Sequence, residues 1–349
     1  MILLNLPKIM IICLLCTIII ECLVSFILRV KSKKDYLNII LVNILTNPLV
    51  VSISVLIQVT QGIKIKNIVS ERNDPNTIPR KNLMKKIRNM AFRYADVCVF
   101  QTEDAKEYFP EIVQTKGVII ENPINISQLP DVIDLRIRDN IILSVGRIVP
   151  QKNFLLLIQA WELIEKQYPD YVVHIYGDKT YRDGLFASQL QAYIDQKELN
   201  DRVVLKGFSS DIYSIMNNSA LYVSSSDFEG MSNTMIEAMA MGMPAIVTDC
   251  PIGGARMVIR DGHNGVLTRV GDKEAMAMAI SSLLSDSDRR VELGKEADVE
   301  AALKPVLENT KIFGVNLYEV GMADKVCGYF KELIAGKGAV RATLKKYVS

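Results

Sequence analysis

Histidine is scarce in this sequence of 349 residues, which holds only His174 and His263. A metal site built from histidines, or a triad with a histidine base, therefore has little support. The six cysteines are scattered, and three of them lie inside one apolar stretch, so neither a disulfide framework nor a zinc site is indicated. Lys and Arg number 41 against 39 for Asp and Glu, and this net charge of +2 argues against nucleic acid as a partner.

The hydrophobic residues, 49% of the chain, are concentrated near the N-terminus. Residues 9–28 include only Thr17, Glu21 and Ser25 as non-apolar positions, and a stretch of this length matches a transmembrane helix. Four cations at 29–34 resemble a stop-transfer cluster, which belongs on the cytoplasmic side. A cleaved signal peptide is the alternative, although no Ala-x-Ala site follows.

A second apolar stretch, 37–59, contains three asparagines and Pro48. It either spans the membrane beside the first stretch or lies re-entrant. If only the first stretch crosses, the rest of the chain is cytoplasmic, as the following Lys/Arg bias prefers; if both cross, the rest faces away. We predict a membrane segment over 1–62 and a membrane-anchored protein whose catalytic part is on the cytoplasmic side.

Residues 80–93 carry six Lys or Arg and no acidic residue. The pattern predicts a helix. It could lie against anionic headgroups, or the charges could be a solvated helix face, and the sequence leaves both open.

From Ile63 onward the composition is that of an α/β protein. Short β-rich runs alternate with helical patterns, which predicts a series of βαβ units. The strands are predicted over 141–145, 171–176, 203–205 and 221–223, and the helices over 153–166, 183–197, 211–217 and 233–242. This series predicts a Rossmann-like, doubly wound parallel sheet with ligands at the carboxyl ends of its strands.

Two of these strand ends carry candidate binding residues. After the first strand, Gly146 allows close approach, and Arg147 and Lys152 supply two cations that suit a diphosphate. Cations near a surface turn are also common without any ligand, so this pattern alone is weak.

The second strand end is a polar loop that leads into a helix capped by Ser232 or Asn233. The amides near Asn233 and Thr234 could hold phosphate opposite Arg147 and Lys152. Two carboxylates, Glu229 and Glu237, suit the hydroxyls of a sugar and a ribose. An ordinary helix with Glu in its first turns is the alternative.

Glu229 and Glu237 form a Glu-x7-Glu motif, and the run Phe-Glu-Gly-Met-Ser-Asn-Thr-Met-Ile-Glu-Ala-Met-Ala around them closely resembles the retaining family 4 glycosyltransferases. Other motifs follow in family order: Ser70-Glu-Arg-Asn-Asp-Pro75, Gln101-Thr102, Glu121-Asn-Pro123, Gly146-Arg147 with Lys152, Tyr176-Gly177, Lys206-Gly207-Phe208, Thr248 to Gly254, and Asp261 to Gly265. The resemblance covers roughly 65–297. It implies a GT-B fold, a nucleotide-sugar donor in the C-terminal domain, an acceptor in the N-terminal one, retention of configuration, and no metal or other cofactor.

The same resemblance implies roles for individual residues. Arg147 and Lys152 neutralise the donor diphosphate and stabilise the leaving nucleotide, and Glu229 lies at the donor sugar. Glu237 holds the ribose hydroxyls. The remaining expected substrate-binding residues are Gly146, Gly177, Gly207, Gly230, Met231, Ser232, Asn233 and Thr234. For Gly177 and Gly207, a plain strand-end turn is the competing explanation.

The chain departs from the family at both ends. The Gly-rich start of the acceptor domain is not recognisable and no histidine precedes His174, so we expect a partial acceptor-side domain over 63–135, followed by a nucleotide-sugar donor-binding domain over 136–297. Residues 298–349 resemble the tail of the long-chain mannitol dehydrogenases, which predicts a helical tail. A dehydrogenase is not expected, because the chain has no G-x-G-x-x-G motif.

These observations predict a glycosyltransferase that moves a sugar, with a UDP-sugar as the expected donor, to a lipid-linked or cell-envelope glycan. A catalytically inactive nucleotide-sugar-binding or scaffold module is the alternative. A fused reading frame whose parts do not fold together is a third hypothesis.

Overall fold

The computed structural model describes residues 39–43, 65–120, 122, 129–130, 132–297, 311–312 and 315–316. The chain forms two compact units, Met1–Ser70 with Lys81–Cys98 and Glu71–Arg80 with Val99–Ser349. The helix predicted over 9–28 lies outside the described residues. In the described ranges, no helix combines the length and the apolar character needed to cross a membrane.

The first unit contains a parallel strand pair and one helix. Strand β1 (Ile39–Asn43) pairs with β2 (Ile65–Glu71), and Ile39 lies opposite Ile65. The sequence placed β1 in a membrane segment, but its Ile-Ile-Leu-Val run equally favours a strand, and here it is one. Helix α1 (Asn82–Tyr94) confirms the helix predicted in the basic segment.

Strand β3 (Val97–Phe100) leads into the second unit, where two short helices, α2 (Glu103–Glu107) and α3 (Glu111–Gln114), precede β4 (Gly117–Ile119). Helix α2 begins after Thr102, whose hydroxyl accepts a hydrogen bond from the Ala105 N–H at 3.0 Å. This cap fixes the backbone directly after Gln101, a residue that belongs to the site described below.

A parallel six-stranded sheet forms the centre of the second unit. Its strands are β5 (Asp139–Val145), β6 (Val172–Tyr176), β7 (Val203–Gly207), β8 (Ser219–Ser224), β9 (Ala245–Thr248) and β10 (Val266–Thr268). They lie in the order β10-β9-β8-β5-β6-β7, and every pair is parallel. Counted from β5, this is the Rossmann order, which reverses direction between β5 and β8. The predicted doubly wound sheet is confirmed.

Four helices connect strands of this sheet, and two more follow its last strand: α4 (Phe154–Glu162), α5 (Leu185–Gln196), α6 (Ile212–Asn218) and α7 (Asn233–Ala240), then α8 (Lys273–Ser285) and α9 (Ser287–Glu296). Four of them lie where helices were predicted. The first is shorter than expected, because α4 ends at Glu162 and a 3-10 turn, Glu165–Gln167, follows it.

Two apolar clusters pack the second unit. One is centred on Trp161, Leu157 and Ile280, and the other on Tyr222, Ile236 and Met239. Strand β8 is buried at every position, as expected for a parallel strand covered on both faces. Strands β5 and β8 are therefore fixed by the core. The loops that follow them begin at defined positions.

In the predicted tail, the described residues are Lys311–Ile312 and Val315–Asn316, which form a two-residue antiparallel pair. At these four positions the backbone is extended where a helix was predicted. The rest of 298–349 lies outside the described residues.

Candidate active site

The loop after β5 carries the two predicted cations. Gly146 donates a backbone hydrogen bond to the Tyr176 carbonyl at 2.9 Å, which fixes the start of the loop. Arg147 is exposed, whereas Lys152 is half-buried at the end of a short 3-10 turn. Asn153 then begins helix α4 with a left-handed φ of 40°, and its side chain accepts from the Leu156 N–H.

The loop after β8 lies directly against the loop after β5. The Asp227 N–H donates to the Gln151 carbonyl at 2.9 Å, and the Asp227 carboxylate accepts from the Asn153 side chain at 2.6 Å. Gln151 also donates to the Phe228 carbonyl at 3.0 Å. The two predicted strand ends therefore meet, at the point where the strand order of the sheet reverses.

Lys152 and Glu229 form an ion pair across these loops, and their side chains are 16% and 20% exposed. Gln151 and Ser226 donate further, longer hydrogen bonds to the Glu229 carboxylate, each at 3.4 Å. Burial disfavours the charge on Lys152, but Glu229 and Tyr222 outweigh burial and raise the pKa of the lysine. The sequence assigned Lys152 to the diphosphate and Glu229 to the sugar, and it did not predict that each neutralises the other.

Helix α7 points its first turn at this pair of loops. Ser232 is the N-cap residue, as predicted, but its side chain makes no capping bond and instead lies 3.1 Å from the Thr234 hydroxyl. The Thr234 hydroxyl in turn lies 2.9 Å from the hydroxyl of the buried Tyr222. Asn233 is exposed. The backbone N–H groups of this first turn therefore have no side-chain cap, which is the arrangement that favours anion binding.

Glu237 lies one turn further into α7 and is half-buried. Its carboxylate accepts a hydrogen bond from Tyr213 Oη at 3.0 Å. Burial raises the pKa of Glu237, and the bond from Tyr213 opposes this only in part. Burial and the nearby carboxylate raise the pKa of Tyr213 to about 12, so the tyrosine remains a donor at neutral pH. Tyr213 was missed by the sequence analysis.

The local backbone explains why the predicted strand-end residues Gly177 and Gly207 are glycines. A Cβ on Gly177 would lie 1.8 Å from the Gly146 carbonyl oxygen, so no side chain fits there. Gly207 has a left-handed φ of 84°, and its carbonyl accepts from the Gly177 N–H at 2.9 Å. The strand-end explanation therefore accounts for Gly177 and Gly207, and their contact with a nucleotide stays a prediction.

Gly230 and Met231 are held by two polar side chains that the sequence analysis did not assign to the site. The Met231 N–H donates to Gln101 Oε1 at 3.2 Å, and the Met231 carbonyl accepts from Asn122 Nδ2 at 2.7 Å. Gln101 also donates to Asn122. We call these two side chains the Gln101–Asn122 clamp. It leaves no room for a side chain at residue 230, because a Cβ on Gly230 would lie 2.4 Å from Gln101 Oε1. Gln101 and Asn122 belong to two of the family motifs found in the sequence. The spacing of these motifs along the chain does not show that both side chains contact Met231.

A narrow pocket opens beside this loop. Its lining includes the predicted residues Glu229, Gly230 and Ser232, together with Ser224, Ser226, Met235, Val247, Thr248, Cys250 and Ala255. Burial raises the pKa of Cys250 to about 11, which keeps the thiol protonated at neutral pH. Beside the pocket, the backbones of Gly230 and Gly254 lie directly against each other. A Cβ on Gly254 would lie 1.9 Å from the Gly230 carbonyl oxygen.

The part of the chain that the structure describes contains no group of three His, Cys, Asp or Glu side chains that could hold a metal ion. His174 lies within β6, with its ring 6.3 Å from that of Tyr176. Burial and Lys206 lower the pKa of this histidine. It packs in the strand, as predicted, and makes no bond to the loops that form the site among the described residues.

Comparison with known proteins gives two informative relatives. An uncharacterised glycosyltransferase from Methanocaldococcus jannaschii is 24% identical over 308 residues, which cover 73% of this chain and 75% of the relative. The N-acetylgalactosamine-N,N'-diacetylbacillosaminyl-diphospho-undecaprenol 4-alpha-N-acetylgalactosaminyltransferase of Campylobacter jejuni is 28% identical over 251 residues, covering 69% of this chain and 66% of the relative.

Among solved structures, the chain is similar to a variant of Staphylococcus aureus TarM in complex with fondaparinux, alpha-GlcNAc-glycerol and UDP. The TM-score is 0.59 at 22% identity, and the match covers 70% of this chain but only 50% of TarM. This likeness supports the GT-B-like fold. Residues 125–299, half of the chain, match the family described as Glycosyl transferases group 1. The chain therefore belongs to the group 1 glycosyltransferases.

Proposed function

We propose that this glycosyltransferase takes its sugar from a UDP-sugar and transfers it, with retention of configuration, to a lipid-linked or cell-envelope glycan. The observation that carries the proposal is the meeting of the Arg147–Lys152 loop with Glu229 and the uncapped first turn of α7 at the reversal of strand order. In open α/β sheets, that crevice is where nucleotides bind.

The electrostatics of the crevice support a diphosphate as the leaving group. Arg147 is exposed and free to pair with phosphate, and the amides of Asn233 and Thr234 add donors at the positive end of α7. Lys152 becomes available as phosphate competes with Glu229 for its ammonium group. Fixed donors that face charge as it develops are the main source of rate acceleration in such a transfer.

The two carboxylates have different surroundings, which supports different roles. Glu237 is held by Tyr213 and has oxygens left to accept from the ribose hydroxyls. Glu229 lines the pocket beside Gly230 and is suited to the hydroxyls of the donor sugar. Retention and the assignment to family 4 rest on the Glu-x7-Glu motif and its surroundings.

The names of the similar proteins support the choice of substrates. TarM was crystallised with UDP, and the name of the Campylobacter enzyme describes an acceptor on diphospho-undecaprenol. A lipid-linked acceptor requires the enzyme to work at a membrane, in line with the predicted anchor and the predicted cytoplasmic location.

The exposed surface of α1 supports the same location. One stripe of this helix alternates apolar and cationic side chains, and Leu83, Lys86, Met90 and Arg93 are all exposed along it. Apolar and basic side chains on one face fit the boundary between headgroups and acyl chains of an anionic bilayer. Of the two alternatives for the basic segment, we therefore favour contact with anionic headgroups.

Equilibrium binding of UDP and several UDP-sugars to the full chain tests the proposal. Arg147→Ala and Glu237→Ala should each weaken binding by roughly ten- to hundredfold, since each removes a charged hydrogen-bond partner worth about 1.5–3 kcal/mol. Arg269→Ala and Glu274→Ala, at exposed positions away from the crevice, are the matched controls and should change nothing. Equal affinity in all four variants would refute the donor site.

An assay of turnover distinguishes an active glycosyltransferase from a catalytically inactive nucleotide-sugar-binding module. With a lipid extract rich in polyprenyl-linked glycans as acceptor, an active enzyme releases UDP from the UDP-sugar that it binds. Binding without any release of UDP would favour the inactive nucleotide-sugar-binding module.

A further inference from the structure

Arg72 lies at the edge of the candidate site in a backbone turn that is tightly held. The turn begins at Glu71, a side chain only 2% exposed, whose carboxylate accepts from the N–H groups of Arg72 and Asn73, both at 3.2 Å. Asp74, also buried, accepts from the Asn76 N–H at 2.8 Å and the Thr77 hydroxyl at 2.7 Å. Arg72 is therefore fixed in position by its neighbours rather than by its own side chain.

The turn packs on the loop that carries Glu229. A Cβ on Gly230 would lie 2.7 Å from the Arg72 carbonyl oxygen, so the backbones of Arg72 and Gly230 are in direct contact. Gly230 also lines the pocket, and the preceding residue is Glu229. The backbone of Arg72 thus lies against the residue that follows Glu229, the carboxylate that the proposed function places at the donor sugar.

One nitrogen of the half-buried Arg72 side chain, Nε, has no hydrogen-bond partner among the described residues. This nitrogen is buried, and none of the described carboxylates forms an ion pair with Arg72. Burial lowers the pKa of this arginine with no counter-charge to oppose the effect. A buried N–H group without an acceptor costs free energy, unlike the same group in water.

Two other arginines of the second unit, Arg138 and Arg202, are bonded to the fold, although Nε and Nη1 of Arg138 are also buried without a partner among the described residues. Arg138 donates to the carbonyls of Met241 and Ile133, at 2.7 and 3.2 Å, and so ties segments of the fold together. Arg202 pairs with Glu165 at 3.0 Å. Arg72 has no such structural bond, although it is held beside the pocket. The planar array of N–H donors of an arginine matches the oxygens of a phosphate in geometry and in charge.

We propose that Arg72 is an anion-binding residue of the transfer site and takes a phosphate group of a diphosphate. This inference rests on the proposed function, which supplies two sources of that chemistry: the diphosphate of the nucleotide sugar and the diphosphate of a lipid-linked acceptor. Arg72 belongs neither to the Arg147–Lys152 loop nor to the Glu-x7-Glu motif, so it adds a cation that both lack.

Titration of the full chain with UDP, and of the UDP-saturated chain with inorganic pyrophosphate, tests the proposal. If Arg72 holds the donor diphosphate, Arg72→Gln weakens UDP binding by about tenfold or more. If it holds the acceptor diphosphate, UDP affinity is unchanged and Arg72→Gln instead abolishes the binding of pyrophosphate to the UDP-saturated protein. Arg72→Lys should retain part of the lost affinity, and Arg269→Gln is the control.

A merely structural arginine would give a different pattern. Because Arg72→Gln removes an uncompensated charge, the thermal unfolding midpoint of the ligand-free protein should stay the same or rise while anion binding is lost. A lowered midpoint with unchanged titrations would overturn the proposal, as would wild-type protein that binds neither UDP nor pyrophosphate. If wild-type protein binds pyrophosphate but not UDP, the donor assignment fails, and the comparison with Arg72→Gln still decides the role of Arg72.

Discussion

Lys152 and Glu229 are paired across the crevice, one from the loop after β5 and the other from the loop after β8. The pair cancels the charge of Lys152, so Arg147 is the exposed cation of the first loop. A phosphate that enters the crevice therefore meets a lysine that already has a carboxylate partner. On the proposed function, donor binding would exchange partners, with Lys152 turning to the phosphate and Glu229 released toward the sugar.

Glu229→Gln should separate these two roles. The amide competes poorly for Lys152, so UDP should bind more tightly by about two- to tenfold, whereas sugar transfer should fall because the carboxylate at the donor sugar is lost. Calorimetric titration with UDP and an assay of UDP release from the UDP-sugar measure the two effects. Glu274→Gln is the surface control. Weaker UDP binding in Glu229→Gln would mean that this carboxylate helps to hold the nucleotide.

The pH dependence of donor binding should report on Glu237. Burial raises its pKa above the ordinary value of 4.5, and the ionised carboxylate would accept hydrogen bonds from the ribose hydroxyls of the proposed donor better than the protonated acid does. UDP affinity should therefore fall as the pH drops through this raised pKa. Glu237→Gln should bind UDP more weakly at neutral pH and lose this pH dependence, as measured by titrations between pH 4.5 and 7.5.

The stability effect of Glu237 has the opposite sign. Its folded-state pKa is higher than its unfolded-state pKa, so the folded protein binds this proton more tightly. Its contribution to the free energy of unfolding is complete below about 4.5 and declines as the pH rises through the folded-state pKa. Urea unfolding of wild-type and Glu237→Gln protein at several pH values should show this decline in the wild type alone. A decline of equal size in both proteins would assign it to another group.

The Gln101–Asn122 clamp should behave as one unit. Asn122→Ala leaves the buried Met231 carbonyl without its donor, and Gln101→Ala leaves the Met231 N–H without its acceptor, so each should cost about 1–3 kcal/mol in the free energy of unfolding. Because the two side chains also bond to each other, the double variant should cost less than the sum of the single ones. Urea unfolding measures the cycle, and strictly additive values would contradict a shared network.

Contact of α1 with a membrane can be measured by fluorescence quenching. The chain has one tryptophan, Trp161, which is fully buried, so a tryptophan introduced at an exposed position reports on its own surroundings. In anionic vesicles with brominated acyl chains, Met90→Trp should be quenched and Met278→Trp should not. Met278 is a matched control, since it is also an exposed methionine on a helix.

The charge requirement is tested in the same vesicles. Adding Lys86→Glu to Met90→Trp should reduce the quenching, because each cation near an anionic surface contributes about 1 kcal/mol. Equal quenching at positions 90 and 278, or none at 90 in vesicle-bound protein, would contradict docking through α1.

Strands and helices of the second unit could be predicted because the composition of each segment by itself indicates its secondary structure. The runs around Ile142 and Val223 are apolar and β-branched, and strands buried on both faces have this composition. The loop from Glu229 to Thr234 was recognised from its residues alone. Strand β1 was misassigned because an apolar, β-branched run has the same composition in a buried sheet and in a membrane segment.

The contacts that complete the site could not be predicted, because they join residues far apart in the sequence. Lys152 and Glu229 are separated by 77 positions, and Asn122 and Met231 by 109. Whether such side chains meet depends on the order of the strands and on the length of each loop. Tyr213 reaches Glu237 from a helix that carries no motif, so nothing in the local pattern distinguished it from a packing tyrosine.

The contact between Gly230 and Gly254 has a consequence for how this site can change. The Gly230 carbonyl occupies the space that any Gly254 side chain would need, and Gln101 and Arg72 occupy the space that a Gly230 side chain would need. At this contact, backbone atoms therefore set the distance between the two segments of the pocket wall. The width at this contact cannot be changed by a larger side chain on either glycine, so on the proposed function a new sugar specificity would have to arise at other lining positions such as Ser226 and Ser232.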